Sequence, residues 1–305
     1  MPDANAAANQ LTTVRDFLRW ALSEFRAAKL SHGHGTTSAI DEAAFLILET
    51  LHLPIDDINP WLDARLLETE RAAVAEIIRK RIETRTPAAY LVKRAYIHGV
   101  PFYVDERVIV PRSYIGELMF TGIFGGEDAS LIEDTSSVTS VLDLCTGSGC
   151  LAIIAAGIFP DADVDAADLS EDALDVARIN IEQHDFANRI NALQGDLFEA
   201  VEGRTYDVII SNPPYVAGEE VAAFPPEYGH EPIMAHIGGD DGLDIVRRIL
   251  EDASDHLNPG GGLLCEIGTG RDRLVAEYPH LDFLWLDTEE SQGEVFWITR
   301  EQLLG

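Results

Sequence analysis

The chain has 305 residues, enough for two domains with a substantial core, and its 46 % hydrophobic content excludes global disorder. Its formal net charge is −31, from 53 acidic against 22 basic residues, and Lys29, Lys80 and Lys93 are the only lysines. Such a surface repels phosphate backbones and counts against a nucleic-acid binder with a basic groove, although it also suits work in concentrated salt, where screening shortens to about 3 Å at 1 M. The N-terminus shows no basic region followed by an apolar core, and no apolar run approaches the roughly 18 residues that span a bilayer. A cytoplasmic protein without a membrane role is expected. Cys145, Cys150 and Cys265 have no metal-like spacing and are expected to be free, reduced thiols.

After a small polar tail, Leu11, Val14, Phe17, Leu18, Leu22 and Phe25 recur at helical spacing and predict an amphipathic helix to about Leu30. Ser31-His32-Gly33-His34-Gly35 reads as a loop; its two histidines lack the further ligands of a metal site. A capping pattern at Ser38–Asp41 starts a second helix that ends near Leu53-Pro54, and a third runs from about Glu68 to Ile82. Residues 1–90 are therefore expected to form a helical N-terminal domain, whose bland role is a simple scaffold and whose functional role is substrate recognition, holding a macromolecular partner. Residues 91–125 read as a connecting segment: a hairpin of His98–Val104 and Val108–Val110 turning at Asp105-Glu106, then a short helix around Ile115–Phe124. Gly125 to Ser140, rich in Gly, Ser, Thr and acid, reads as a surface loop.

Residues 126–305 carry an α/β pattern. Strand signals fall at 141–143, 164–168, 190–194, 207–210, 262–267, 283–286 and 295–299, with helical stretches at 150–158, 172–180 and 243–255. Alternation of this kind predicts a doubly wound, mostly parallel seven-stranded sheet, and the short connection 287–294 predicts an antiparallel hairpin at its edge.

Two stretches carry chemistry. Val141-Leu142-Asp143-Leu144-Cys145-Thr146-Gly147-Ser148-Gly149-Cys150 reads as strand, glycine turn and helix start, where Gly147 and Gly149 let backbone approach a ligand. Asp168 closes the next strand, where a carboxylate takes ribose hydroxyls, and Asp196 closes the one after, within reach of an adenine amino group. The turn also fits the dinucleotide fingerprint Gly-x-Gly-x-x-Gly/Ala, but Asp143 would repel a pyrophosphate. Asp143 favours S-adenosylmethionine instead, whose cationic amino-acid end it can hold.

The second stretch is Ser211-Asn212-Pro213-Pro214-Tyr215, at the end of the apolar run Val208-Ile209-Ile210. Proline cannot extend the ladder, so the strand stops abruptly and presents the Asn212 side chain and the Pro213 carbonyl as acceptors. Two acceptors suit the two hydrogens of a planar NH2 group, and Tyr215 offers a flat wall against its face. The bland alternative is a strand followed by a proline turn. His230 is a loop histidine in this reading, and no general base is named.

Asp-Leu-Cys-Thr-Gly-Ser-Gly together with Ser-Asn-Pro-Pro-Tyr-Val resembles the class I methyltransferases that modify planar amino nitrogens. With Arg85–Leu91, Val110-Pro111-Arg112 and Gly238–Leu243, nearly the whole chain resembles the protein-(glutamine-N(5)) methyltransferases. His32–Thr36, Ile115–Leu118, Tyr228–Pro232 and Thr299–Leu304 make it most similar to the branch acting on large-ribosomal-subunit protein three. Tyr114 departs from the proline expected there. The resemblance implies the class I S-adenosylmethionine-dependent fold, that cofactor, and a large-subunit ribosomal protein as partner without direct nucleic-acid recognition. It implies catalytic roles for Asn212, Pro213 and Tyr215, and cofactor contacts from Asp143, Thr146, Gly147, Gly149, Asp168, Asp196 and Asn212. The competing expectations are the same reaction on a peptide-chain release factor, adenine-amino methylation of nucleic acid, and a ribosome-assembly factor that binds without turnover.

Overall fold

In the computed structural model, which describes residues 3–126, 130–288 and 291–305, the chain divides into two units. The first takes the chain up to Glu106 together with Phe224–His230; the second takes Arg107–Ala223 and Glu231–Gly305.

The first unit holds α1 (Ala4–Gln10), α2 (Val14–Ala28), α3 (Ala39–Thr50), α4 (Glu68–Thr84) and α5 (Ala88–Val92), followed by β1 (Ala95–Ile97) and β2 (Val100–Phe102). Helix α2 begins where Thr13 and Asp16 cap one another: the Thr13 hydroxyl accepts from the Asp16 N–H at 3.2 Å and Asp16 accepts from the Thr13 N–H at 3.0 Å. Its apolar stripe, Phe17, Ala21 and Phe25, packs with Leu46 and Ile47 of α3 and Val74 and Ile78 of α4. A charged knot lies within this core. Fully buried Arg81 donates to Glu42 at 2.9 Å and to the Ser31 carbonyl at 2.9 Å, while Glu227 accepts from Arg85 at 2.6 Å and from the Ser31 N–H at 3.0 Å. The His34 ring packs on Tyr228 with centroids 4.3 Å apart, so the histidine loop is fastened by packing. Among the described residues no group of three candidate ligands could hold a metal ion.

The hairpin differs from the sequence expectation. Its strands are β1 and β2, paired Ala95 to Phe102 and Ile97 to Val100, and the turn is His98-Gly99. Both turn residues have positive φ (46° and 78°), the geometry of a two-residue hairpin turn, and residues 108–110 join no strand.

The second unit starts with α6 (Tyr114–Phe120) and continues through β3 (Ser140–Leu144), α7 (Cys150–Ile158), β4 (Asp163–Asp168), α8 (Glu171–Gln183), β5 (Ile190–Gln194) and β6 (Tyr206–Ser211). After the short α9 (Gly218–Val221) come α10 (Asp244–His256), β7 (Leu257–Glu266), α11 (Arg271–Glu277), β8 (Leu284–Asp287), β9 (Gln292–Thr299) and α12 (Arg300–Leu304). The seven strands lie in the order β5-β4-β3-β6-β7-β9-β8. Strands β3 to β7 are mutually parallel, and β9 runs antiparallel between β7 and β8, which is the predicted edge hairpin. On one face Val246, Ile249 and Ala253 of α10 cover Ile209, Leu263 and Ile298. Helix α7 is apolar nearly all round and accordingly buried. The strand order reverses direction between β3 and β6, and a ligand crevice is expected at their carboxyl ends.

Candidate active site

The turn after β3 is organised by two carboxylates. Asp143 is fully buried; one of its oxygens accepts from the Thr146 hydroxyl at 2.5 Å and from the Ala152 N–H at 3.0 Å, and the other has no hydrogen-bond partner. Burial raises its pKa to about 7, with the Asp168 charge adding to the effect and the two hydrogen bonds opposing it. Asp168, at the end of β4, accepts from the Gly147 N–H at 2.9 Å and the Ser170 N–H at 2.9 Å, and burial raises its pKa as well. The two glycines differ. At Gly147 (φ +55°) a Cβ would meet nothing within 4 Å, leaving the backbone open to a ligand. At Gly149 a Cβ would come within 3.1 Å of the Ala177 Cβ in α8, so its missing side chain serves helix packing.

A cavity of about 400 Å³ opens at the carboxyl ends of the strands. Cys145, Gly147, Asp168, Asp196, Asn212 and Pro214 line it, joined by residues 107–109 and by Pro232, Met234, Ala235 and Ile237. Of the sequence-predicted residues, the fold thus gathers Gly147, Asp168, Asp196 and Asn212 around one cavity. Asp143, Thr146, Gly149, Pro213 and Tyr215 stand outside the lining. Asp196 also pairs with Arg248 at 2.9 Å.

Asn212 reaches the cavity because β3 and β6 end together: Ser211 pairs with Leu144, and its hydroxyl donates to the Leu144 carbonyl at 3.1 Å. The prolines then turn the chain out of the sheet. The segment beyond them is held by the glycine-rich loop, as Val216 N–H donates to the His236 carbonyl at 2.8 Å and Gly238 N–H to the Val216 carbonyl at 2.9 Å. A Cβ on Gly238 would lie 2.5 Å from the Pro214 carbonyl oxygen, and one on Gly242 would lie 2.4 Å from that of Tyr215. Tyr215 does more than present a flat ring: its hydroxyl donates to Glu266 at 2.9 Å, and the ring lies against Gly268.

Two carboxylates escape sequence reasoning. Glu231 accepts a two-pronged hydrogen bond from Arg112, and fully buried Glu266 ends β7. In the sequence Glu266 is an acid closing an apolar strand like several others, and only the parallel register of β6 and β7 places it beside Tyr215.

The family model for the methyltransferase small domain matches residues 129–224. Over nearly its whole length the chain is similar to proteins named ribosomal protein uL3 glutamine methyltransferase. The one from Bradyrhizobium diazoefficiens is 52 % identical over 301 residues, covering 98 % of this chain and 94 % of that protein. The one from Neisseria gonorrhoeae is 54 % identical over 301 residues, covering 99 % of each. The one from Bordetella pertussis is 49 % identical over 294 residues, covering 96 % of this chain and 97 % of that protein. The chain belongs to the ribosomal protein uL3 glutamine methyltransferase family.

A methyltransferase of this family needs a methyl donor, and the residues present fit a cationic one. The unpartnered oxygen of Asp143 is an acceptor awaiting a donor, the open flank of Gly147 allows close backbone approach, and acids stand at the ends of three successive strands. The thiols beside the turn are not poised as nucleophiles: burial raises the Cys145 pKa strongly and pushes that of Cys150 up to about 12.

Proposed function

We propose that this protein transfers a methyl group from S-adenosylmethionine to the side-chain amide nitrogen of a glutamine in the large-subunit ribosomal protein uL3. The observation that carries this reading is the shared ending of β3 and β6, with Asn212 lining the same cavity as Gly147, Asp168 and Asp196. The donor, when bound, supplies an electrophilic sulfonium methyl.

Asp168 takes the ribose hydroxyls, Asp196 the adenine amino group, and Asp143, supported by Thr146, the cationic amino-acid end. Gly147 keeps the turn open. An amide nitrogen is a weak nucleophile because its lone pair is delocalised into the carbonyl, so alignment and charge stabilisation must supply most of the rate. The Asn212 side-chain oxygen and the Pro213 carbonyl accept the two amide hydrogens, and these bonds strengthen as positive charge grows on nitrogen. Tyr215, next in the chain to the cavity-lining Pro214, backs the amide site. No Asp or His stands within the Asn-Pro-Pro-Tyr motif, and the proton leaves to solvent after transfer.

The helical unit recognises the protein substrate. A strongly acidic chain working in the cytoplasm suits a protein partner that is itself basic enough to bind RNA, and disfavours direct contact with nucleic acid. Intact-mass measurement of ribosomal proteins and release factors from cells lacking this protein tests the assignment. The reading expects uL3 to lose one methyl group, and a loss confined to a release factor would replace it.

A further inference from the structure

Glu266 is a buried acid of the sheet unit that the proposed chemistry leaves without a role. It is fully buried, and its hydrogen-bond donors are neutral hydroxyl and backbone N–H groups. A carboxylate without a cation in such a place is costly to desolvate, and burial raises its pKa to about 7. Its compensation comes from donors on two separate segments. One oxygen accepts from the Ser113 hydroxyl at 2.7 Å and the Tyr114 N–H at 2.9 Å, with the Ile115 N–H at 3.5 Å behind them. The other accepts from the Tyr215 hydroxyl at 2.9 Å.

These bonds define a role. Tyr215 directly follows Pro214, which lines the cavity, and its ring is confined between two constraints. On one side a Cβ at Gly268 would lie 2.7 Å from ring atom Cδ2, and at the tip Glu266 holds the hydroxyl. Among the described residues, Glu266 is the hydrogen-bond partner that holds the Tyr215 hydroxyl. We propose that Glu266 is a positioning residue for methyl transfer, fixing the Tyr215 wall of the amide site and tying it to the segment that opens α6. This rests on the proposed glutamine methylation. Glu266 itself does not line the cavity. The other groups facing this pair are Arg112, whose charge favours the ionised tyrosine, Glu294, which disfavours it, and the neighbouring Cys265 thiol.

The test compares Glu266→Ala, Glu266→Gln and Tyr215→Phe with wild type in single-turnover methyl transfer to purified uL3. Binding of S-adenosylhomocysteine is measured in parallel as a check of fold and cofactor site. Glu266→Gln is the informative variant. Its carboxamide oxygen can accept from Ser113 and Tyr114 while its NH2 donates to the Tyr215 hydroxyl, which then acts as acceptor. Glu266→Gln is expected to transfer within about threefold of wild type, whereas Glu266→Ala falls by about 10²-fold, the loss expected for a misplaced group, with cofactor binding intact. If Glu266→Ala does not fold, Tyr215→Phe decides: it is expected to lose about tenfold in the transfer step with cofactor and uL3 affinities unchanged. Wild-type transfer in Tyr215→Phe, or equal losses in folded Glu266→Gln and Glu266→Ala, would overturn the proposal. Failure of the wild-type protein to methylate uL3 would instead refute the parent reading.

Discussion

Arg112 grips Glu231 with two parallel hydrogen bonds of 2.8 Å each. The same carboxylate accepts from the Val110 N–H at 2.9 Å and stands 3.1 Å from His236 Nε2, so it joins the two segments that complete the cavity, residues 107–109 and 232–237. Arg112→Ala would leave a buried carboxylate without its fork and should cost about 2–4 kcal/mol of stability. Arg112→Lys should recover only part of it, because an ammonium cannot match both oxygens. Urea denaturation of the three proteins measures this, and identical midpoints would refute it.

On the proposed reading, Asp143 should couple cofactor binding to pH. Its raised pKa means that the folded protein keeps a proton that the unfolded chain releases above its ordinary value near 3.8, so this group's contribution to stability falls as pH rises from there to about 7. Asp143→Asn should therefore raise the melting temperature at pH 8 and leave it unchanged near pH 4. Binding runs the other way, because a cationic donor needs the ionised form. Wild-type affinity for S-adenosylmethionine should fall about tenfold per pH unit below 7, and that slope should vanish in Asp143→Asn. Calorimetric titration across pH 5.5–8.5, roughly 1.5 units either side of the transition, reads the binding slope, and thermal melts near pH 4 and at pH 8 read the stability.

Two glycines should answer oppositely to alanine. A methyl group on Gly238 would strike the Pro214 carbonyl and the Tyr215 Cα, at 2.5 and 2.8 Å, and backbone cannot yield cheaply. Gly238→Ala should lose about 1–3 kcal/mol and most of its transfer activity. Gly157, in α7, has nothing within 4 Å of the added carbon, and Gly157→Ala should gain about 0.4–1 kcal/mol with activity intact. Thermal melts and single-turnover rates distinguish the two.

Much of this architecture is legible in the sequence because local signals and tertiary fold agree. Apolar runs alternate with helical periods from Val141 onward, and acids at the strand ends mark the carboxyl edge of a parallel sheet. What is not legible is set by register. Nothing local to Glu266 separates it from an exposed strand-end acid, and nothing in Arg112 and Glu231 foretells a pairing across 119 positions. The hairpin is misplaced by sequence reasoning because Asp105-Glu106 has turn-like composition, while the actual turn uses a histidine in left-handed backbone geometry at position 98. Gly149 reads as a ligand-binding glycine, since spacing alone cannot separate close approach to a ligand from close approach of a helix.

The acidic surface makes its own prediction. With a net charge of −31, self-repulsion should weaken the fold at low ionic strength, so melting temperature should rise from low salt to above about 1 M. A flat curve would assign the acidity to attraction of a basic partner, visible as uL3 association that slows steeply with salt.

The central claim is that Asn212 recognises an amide NH2 as it becomes positively charged. Its most direct test is single-turnover methyl transfer to purified uL3 by Asn212→Ala, with S-adenosylmethionine binding measured on the same preparation. Removing one such acceptor should cost about 10²–10³ in rate and leave cofactor affinity within a few fold. Asn212→Asp, which keeps an acceptor in place, should fall between the two. Transfer at the wild-type rate by Asn212→Ala would mean that the motif only turns the chain, and the proposed mechanism would be wrong.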